Sequence, residues 1–404
     1  MSVATNSPRP ILRAERLCKV FGPAPERALA FIDKGCDKQT ILRQTGCSVA
    51  VREVSFEVRR GELLVLMGLS GSGKSTVVRL LNGLIEPSRG TIEVDGRAIQ
   101  SLSKRELRGL RNRMLSMVFQ HFAIFPHRSV RENVAYGLDV RGCSVEARQA
   151  RAGRAIEQVG LGGWEDAYPE ELSGGMQQRV GLARALATDA EVMLMDEAFS
   201  ALDPLIRREM QDLLIRLHRD SGRTIVFVTH DLNEAMRIGK RIMILRDGTI
   251  SQIGTATEIL SQPANDYISR FTADVDRTRV LMARDVMCPV PVTTREGDDP
   301  RDVLRRSEAA DAATVFVVEA GTIVGTVSPA ALRSMVGRGL TALERSAFDT
   351  DYASVRADTP LVEVCALSSS RRAPLAVIDE GGQLLGTLSA DNLLAAIRPH
   401  RNEA

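Results

Sequence analysis

The segment from Gly68 to Thr76 constrains the fold of this chain more than any other. It fits the pattern G-x-x-x-x-G-K-[ST], with the residues Gly68, Leu69, Ser70, Gly71, Ser72, Gly73, Lys74, Ser75 and Thr76. The apolar run LLVLM at 63–67 precedes it, and the helical sequence TVVRLLNGL follows. Glycines in such a strand–loop–helix turn let backbone N–H groups converge on phosphates. We therefore predict an α/β domain with a phosphate-binding loop, in which Lys74 adds a charge and Ser75 holds Mg²⁺.

The rest of the sequence divides into a large α/β part and a shorter repeat. Apolar runs at 63–67, 191–195 and 224–228 indicate buried parallel strands. Asp95-Gly96 and Asp247-Gly248 indicate hairpins. After residue 275, FVVEAGTIVGTVSPAAL at 316–332 recurs as AVIDEGGQLLGTLSADNL at 376–393, and two such units commonly share one core. The predicted domains are 11–275 for nucleotide binding, with repeat units at 280–338 and 345–400.

Composition excludes several classes of function. The 53 Lys and Arg nearly balance the 51 Asp and Glu, which argues against a nucleic-acid partner. No apolar run approaches the ~20 residues of a membrane span, and the N-terminus lacks the apolar core of a signal peptide. The six Cys are scattered, which predicts reduced thiols rather than disulfides or a zinc site. We expect a soluble chain, or one attached to a membrane only through a partner.

A pair of acids follows the apolar run at 191–195. Parallel sheets bind their ligands at the carboxyl ends of their strands, where Asp196 and Glu197 stand. Asp196 is expected to coordinate Mg²⁺ through water, and Glu197 to polarise the water that attacks the phosphate.

The sequence LSGGMQQR at 172–179 resembles the signature of ATP-binding cassette (ABC) ATPases. Ser173, Gly174 and Gly175 open a helix and form a second anion-binding end. In the family that end faces the γ-phosphate on the opposite subunit. The resemblance therefore implies that two copies enclose two MgATP, each between the phosphate loop of one copy and the signature of the other.

Other segments also resemble functional positions of ABC ATPases. Gln120 in MVFQ is similar to the residue that touches Mg²⁺ and senses the membrane partner, and Asp203 in SALD is similar to the D-loop. His230 in VTHD is similar to the switch histidine at the γ-phosphate, and Phe21 in LCKVFG to the aromatic that stacks on adenine. The implied catalytic set is Lys74, Gln120, Glu197 and His230, and the implied metal set is Ser75, Gln120 and Asp196.

Three longer features resemble a narrower group, the ATPase subunits of glycine betaine, proline and choline importers. They are an insertion at 23–50 that reads as two short helices, MGLSGSGKSTVVRLLNGLIEPSRG, and VFQHFAIFPHRSVRENVAYGL. Many members also end in a tandem cystathionine-β-synthase (CBS) module like this repeat. The resemblance implies an ABC-type domain, with a mostly parallel sheet, an antiparallel subdomain and a helical subdomain, followed by an α+β CBS pair. It also implies transmembrane permease subunits, an indirect substrate-binding protein, and a peripheral position on the cytoplasmic face of the plasma (inner) membrane.

Two alternatives remain for the function. One is an ABC importer ATPase for a different solute, and the other is a soluble ABC ATPase acting on ribosomes or DNA. Ribosome-type proteins carry two cassettes, whereas this chain has one phosphate loop. DNA-repair types insert a long coiled coil, and no heptad run lies between Gly68 and Leu172.

The repeat offers a separate ligand question. Nucleotide-binding CBS units often place Asp where this chain has Ala331 and Asn392, which argues against a simple adenosine nucleotide. A structural or dimerising role stays open for the repeat. So does regulation by an anionic lipid surface, a cyclic dinucleotide or ionic strength itself. Arginines that could contact a lipid surface occur in three clusters, namely Arg301 with Arg305 and Arg306, Arg371 with Arg372, and Arg398 with Arg401.

Overall fold

The computed structural model describes residues 9–120, 123–369 and 373–397. They form two units, which divide between Ile268 and Ser269. In chain order the elements of the first unit are β1 (Leu12–Phe21), α1 (Pro25–Asp33), α2 (Lys38–Thr45), β2 (Ser48–Val58), β3 (Leu63–Met67), α3 (Lys74–Leu81), β4 (Arg89–Val94), β5 (Arg97–Ala98), α4 (Lys104–Met114), β6 (Leu115–Val118), α5 (Val130–Val140), α6 (Val145–Gln158), α7 (Gly174–Ala187), β7 (Val192–Asp196), α8 (Pro204–Ser221), β8 (Thr224–Thr229), α9 (Leu232–Ile238), β9 (Arg241–Arg246), β10 (Thr249–Gly254) and α10 (Ala256–Ser261). The next helix, α11 (Asp266–Phe271), contains the division between the two units.

The central sheet of the first unit has six strands in the order β10-β9-β3-β8-β7-β6. Strands β9, β3, β8, β7 and β6 are parallel, and β10 returns antiparallel to β9. Every residue of β3 and β8 is buried, as their continuous apolar sequences predict. The predicted parallel strands are thereby confirmed, and their carboxyl ends lie along one edge of the sheet.

A second, antiparallel sheet and a helical group complete the first unit. Strands β2, β1, β4 and β5 pair in that order. Both predicted hairpins form, because Asp95-Gly96 and Asp247-Gly248 adopt positive φ at both turn residues. Helices α5, α6 and α7 pack against one another. One buried core joins residues of both sheets to α3.

The second unit contains the two repeats. Its elements are α12 (Arg277–Val280), α13 (Ala283–Val286), β11 (Thr293–Thr294), α14 (Pro300–Ala309), β12 (Val315–Glu319), β13 (Thr322–Val327), α15 (Pro329–Gly337), β14 (Ser354–Arg356), α16 (Leu361–Ser368), β15 (Leu375–Ile378), β16 (Leu384–Leu388) and α17 (Ala390–Ile397). Each repeat pairs a short parallel strand with an antiparallel hairpin, as β11-β12-β13 and β14-β15-β16.

The two repeats share buried side chains, as the sequence predicts. Phe316 and Ile323 of the first repeat form one buried cluster with Ala376 of the second. Neither repeat could bury this apolar surface alone, so the pair folds as one module. In the described part of the chain, no helix combines the length and the hydrophobicity that crossing a membrane requires.

Candidate active site

The phosphate loop connects β3 to α3 and is packed tightly against neighbouring backbone. Gly68 has φ +149°, and a Cβ there would lie 2.2 Å from the Leu245 carbonyl oxygen. Gly73 has φ +104°, and its Cβ would lie 2.4 Å from the Ala50 carbonyl oxygen. Any larger residue at either position would push the loop away from the sheets, so the two glycines fix its path.

Lys74, the first residue of α3, points back over this loop. Its Nζ donates hydrogen bonds to the carbonyl oxygens of Gly68 at 2.9 Å and Leu69 at 3.2 Å. The side chain is only 5 % exposed, and Nζ lies 3.7 Å from Glu197 Oε1. Burial lowers the pKa of Lys74, and the carboxylates of Glu197 and Asp196 oppose that shift. A cation with so little water around it attracts an anionic ligand strongly.

The end of β7 brings two carboxylates to the same loop. Ser75 Oγ donates to Asp196 Oδ1 at 2.9 Å. Burial raises the pKa of Asp196 above its usual value, and the hydrogen bond from Ser75 offsets only part of that rise. A hydroxyl and a carboxylate at this spacing are oxygen donors of the type that Mg²⁺ prefers, so the pair fits the metal that the sequence predicts.

Glu197 and His230 form the outer part of the site. His230 follows β8, which pairs with β7, and its Nδ1 lies 3.2 Å from Glu197 Oε2. The Glu197 amide donates to the Val228 carbonyl oxygen at 3.1 Å. Gln120 follows β6, whose last residue pairs with Met195, so it lies beside the same carboxyl edge. The sheet thus brings together the residues that the sequence places far apart.

A cleft of about 450 Å³ opens over the loop. Residues 70–71, 73–76 and 197 line one part of it. Ser48, Val49 and Ala50 of β2 and Lys38, Gln39 and Leu42 of α2 line the remainder. The α2 residues were not predicted as site residues. The available signal was the scarcity of Lys, because Lys38 is one of very few and lies in the insertion.

Phe21 does not line this cleft. It pairs with Ser48 across β1 and β2, so it stands next to the lining, and its side chain is 45 % exposed. The Lys19 ammonium lies 5.1 Å from the centre of its ring. Its role toward adenine stays a prediction.

The signature residues begin α7. Ser173 is the N-cap, and its Oγ accepts a hydrogen bond from the Met176 amide at 3.3 Å. A Cβ on Gly175 would lie 2.5 Å from Ile206 Cγ2, so a larger residue would displace the Ile206 side chain where α7 meets α8. Asp203 caps α8 by accepting from two amides. The lining of the cleft in one copy contains none of Ser173, Gly174, Gly175 or Asp203.

The arginine clusters of the repeat are partly neutralised. Arg305 and Arg306 both donate to Asp302, which lowers the pKa of that carboxyl, whereas Arg301 is exposed. Arg371, Arg372, Arg398 and Arg401 lie outside the described residues. Ser328 and Ser389 accept from the amides of Ala331 and Asn392 and so serve as helix caps.

A phosphate loop after β3, two carboxylates at the end of β7 and a signature helix define an ABC-type ATPase. A family model described as ABC transporter matches residues 51–200, and one described as CBS domain matches residues 346–399. A solved ATP-binding cassette, a dimer in a post-hydrolysis state with ADP and Pi, has TM-score 0.52 and 30 % identity, and the match covers 61 % of this chain and 98 % of that one.

Relatives that match nearly the whole chain identify the group within the ABC family. The glycine betaine/carnitine transport ATP-binding protein of Listeria monocytogenes is 46 % identical over 96 % of this chain and 97 % of its own. The glycine betaine/proline betaine transport system ATP-binding protein of Salmonella typhimurium is 47 % identical over 96 % and 97 %. At this identity and coverage the chain belongs to the same family of ABC transport ATP-binding proteins. It binds and hydrolyses ATP.

Proposed function

We propose that this chain is the ATP-hydrolysing subunit of an importer for a quaternary amine osmolyte, namely glycine betaine, proline or choline. The observation that supports the solute is the extent of similarity. Two betaine transport subunits match 96 % of the chain, including its insertion and its repeats. A sulfate/thiosulfate import protein of Synechococcus elongatus matches only 60 %, at 41 % identity.

One other solute has specific support. The trimethylamine N-oxide transport ATP-binding protein of Ruegeria pomeroyi is 48 % identical over 68 % of this chain and 80 % of its own. Trimethylamine N-oxide also carries a methylated, positively charged nitrogen. We therefore keep it as the second candidate solute, and the same uptake experiment includes it.

In the proposed reaction, Glu197 accepts a proton from the water that attacks the γ-phosphate. Its Oε2 is held by His230, and Oε1 lies on the side of Lys74. Lys74 binds the phosphates from inside the loop, and His230 contacts the γ-phosphate. Ser75, Gln120 and Asp196 would hold Mg²⁺, which when bound neutralises phosphate charge.

The missing wall of the site comes from a second copy. Ser173, Gly174, Gly175 and Asp203 do not line the cleft of their own chain. We propose that they complete the site of a partner copy, that closure of this dimer drives the transmembrane permease subunits, and that hydrolysis resets them. The chain then sits peripherally on the cytoplasmic face of the membrane and meets the substrate-binding protein only indirectly. Phe21 is proposed as the surface on which adenine stacks.

The repeat module is proposed to regulate the transporter. Its ligand is an anionic lipid surface or a cyclic dinucleotide. The lipid surface is supported by the exposed Arg301 and the neighbouring Arg305, although Asp302 offsets part of their charge.

Uptake measurements test the proposed solute. Cells with and without this gene are given labelled glycine betaine, choline, proline or trimethylamine N-oxide, and Lys74→Ala serves as the inactive control. We expect gene-dependent uptake of at least one of the first three solutes, abolished by Lys74→Ala. Uptake restricted to trimethylamine N-oxide would establish the second candidate, and no gene-dependent uptake of any of the four would refute both.

A further inference from the structure

The inserted helices α1 and α2 are firmly held against the antiparallel sheet. Ile32 and Ile41 are buried in one cluster with Val20 and Val49 of β1 and β2. The Arg52 guanidinium donates to the carbonyl oxygens of Cys36 at 2.8 Å and Ile32 at 3.3 Å. Asp37 caps α2 by accepting from the Thr40 amide. The start of α2 therefore has a fixed position.

That position places Lys38 in the nucleotide cleft. Lys38 lines the same cleft as Lys74, Ser75 and Glu197. A Cβ added to Gly248 would lie 3.3 Å from Lys38 Nζ, so the ammonium stands beside the β9–β10 turn. The Gly248 amide in turn donates to the Ser72 carbonyl oxygen of the phosphate loop at 3.1 Å. Lys38 is therefore close to the phosphate loop, although it belongs to the insertion at 23–50.

The protein's own groups around Lys38 do little to stabilise its positive charge. It is the first residue of a helix, where the helix dipole is positive and a second positive charge is unfavourable. Burial lowers the pKa of its ammonium, and in the described residues only the Asp247 carboxylate opposes this shift. A bound anion in the cleft would relieve both penalties.

We propose that α2 forms a wall of the ATP site and that the Lys38 ammonium binds the nucleotide phosphates across the cleft from the phosphate loop. The inference rests on the proposed ATP site and adds a second cation to the one that the loop supplies. The insertion thereby contributes a phosphate-binding residue to the nucleotide site.

The test measures binding of the non-hydrolysable analogue AMP-PNP and of inorganic tripolyphosphate to the full chain by calorimetry. Lys38→Met removes the charge but keeps a flexible, helix-compatible side chain. Loss of one charge-assisted hydrogen bond should weaken binding of both probes by about tenfold. Lys38→Arg should restore most of the affinity, which separates a charge effect from a folding defect.

Arg43→Met is the matched control. Arg43 is an exposed cation on the same helix and does not line the cleft, so this variant should bind both probes like the wild type. Equal affinities of the wild type and Lys38→Met would overturn the inference. Weaker AMP-PNP binding with unchanged tripolyphosphate binding would overturn it too, because Lys38 would then contact the nucleoside.

The proposed ATP site has its own readout in the same experiment. If the wild type binds AMP-PNP and Lys74→Met does not, the site stands whatever Lys38 does. If the wild type binds neither probe, the site itself is refuted and the inference falls with it.

Discussion

At the residue scale, Glu197 is held in an unusual backbone conformation. Its φ is +47°, a region in which a residue with a side chain costs about 1 kcal/mol or more. The Val228 carbonyl oxygen accepts from its amide, and its own carbonyl oxygen accepts from Ser200 Oγ. These bonds hold the turn after β7, and the turn aims the carboxylate at His230 and Lys74.

Glu197→Gln tests the proposed base. The amide keeps the shape of the side chain but cannot accept a proton, so turnover should fall by roughly two to four powers of ten. ATP binding should persist, because Lys74 and the loop are unchanged. ATPase rates and AMP-PNP affinity are measured side by side. Near-normal hydrolysis by this variant would show that Glu197 is not the base.

His218 gives a pH prediction for stability. Its Nε2 lies 3.1 Å from the Gly61 carbonyl oxygen, and burial lowers the pKa of its ring. When a histidine has a lower pKa in the folded than in the unfolded state, its contribution to the free energy of unfolding is fully present at pH values above the unfolded pKa of about 6.5. This stability is lost as the pH falls toward the folded value.

His218→Gln should therefore lose less thermal stability than the wild type between pH 7.5 and pH 5.5. Glutamine keeps a donor for Gly61 but does not ionise in this range. The exposed His127→Gln is the control and should follow the wild type. If all three proteins show the same loss, burial of His218 does not control this pH dependence.

At the scale of elements, the short-range patterns of the sequence predict most of the fold. Continuous apolar runs identify β3, β7 and β8, because a strand buried on both faces needs no polar alternation. Asp-Gly pairs identify both hairpins, since these residues tolerate positive φ. The phosphate loop and the two acids are predictable because strand ends in a parallel sheet converge on one edge.

The position of the insertion could not be predicted in the same way. The sequence predicts two short helices closed by Gly35 and Gly46, and both form. Their direction depends on distant contacts, such as the burial of Ile41 against Val49 and the bonds of Arg52 to α1 and the following turn. A local sequence pattern contains no information about those contacts. Only the three-dimensional structure therefore shows that Lys38 approaches the phosphate loop.

Two helix caps provide a matched test of the signature. Ser173 and Ser144 are both exposed N-caps, and each accepts an amide hydrogen bond at 3.3 Å, from Met176 and Ala147. Replacement by Ala should cost each helix about 1 kcal/mol. Only Ser173→Ala should lower the ATPase rate, by about tenfold, because in the proposed dimer its hydroxyl also binds a phosphate in the partner's site.

Thermal unfolding and ATPase assays of the two variants separate the capping role of Ser173 from its proposed role in the ATP site. Equal losses of activity would mean that Ser173 acts only as a cap.

Mixing experiments test whether the site is shared between copies. Lys74→Ala disables both sites of a homodimer, and so does Ser173→Arg. In a dimer with one copy of each, one site carries both changes and the other carries neither. The mixture should therefore regain activity, up to about a quarter of the wild-type rate if copies pair at random and sites act independently. A mixture in which cross-linking detects mixed dimers, but which stays inactive, would contradict two independent shared sites.

At the scale of the whole molecule, the two units have separate cores. The core of the first unit joins its two sheets, and the first repeat of the second unit has its own core around Val303, Val317 and Leu332. A cut between the units leaves the residues of both clusters together in their own part of the chain. The regulatory role proposed for the repeats can therefore be tested by removing them.

The last prediction concerns a chain that ends at Asp276, assembled with its permease in liposomes. An osmolyte importer must respond to water loss, which raises salt inside the cell. Salt screens charges over about 8 to 10 Å at physiological strength, so a weak contact between the repeat arginines and anionic lipid can serve as the sensor. The full-length transporter should need a threshold salt concentration for ATPase activity in anionic liposomes.

The shortened transporter should hydrolyse ATP without that threshold, because the site residues from Lys38 to His230 remain. In neutral liposomes the full-length transporter should behave like the shortened one, since the lipid charge is gone. Activity is measured against salt for both proteins in both membranes. Identical curves for the two proteins in anionic liposomes would refute ionic sensing by the repeats. A threshold that persists in neutral liposomes would show that salt acts without lipid charge, and titration with cyclic dinucleotides would then test the other candidate ligand.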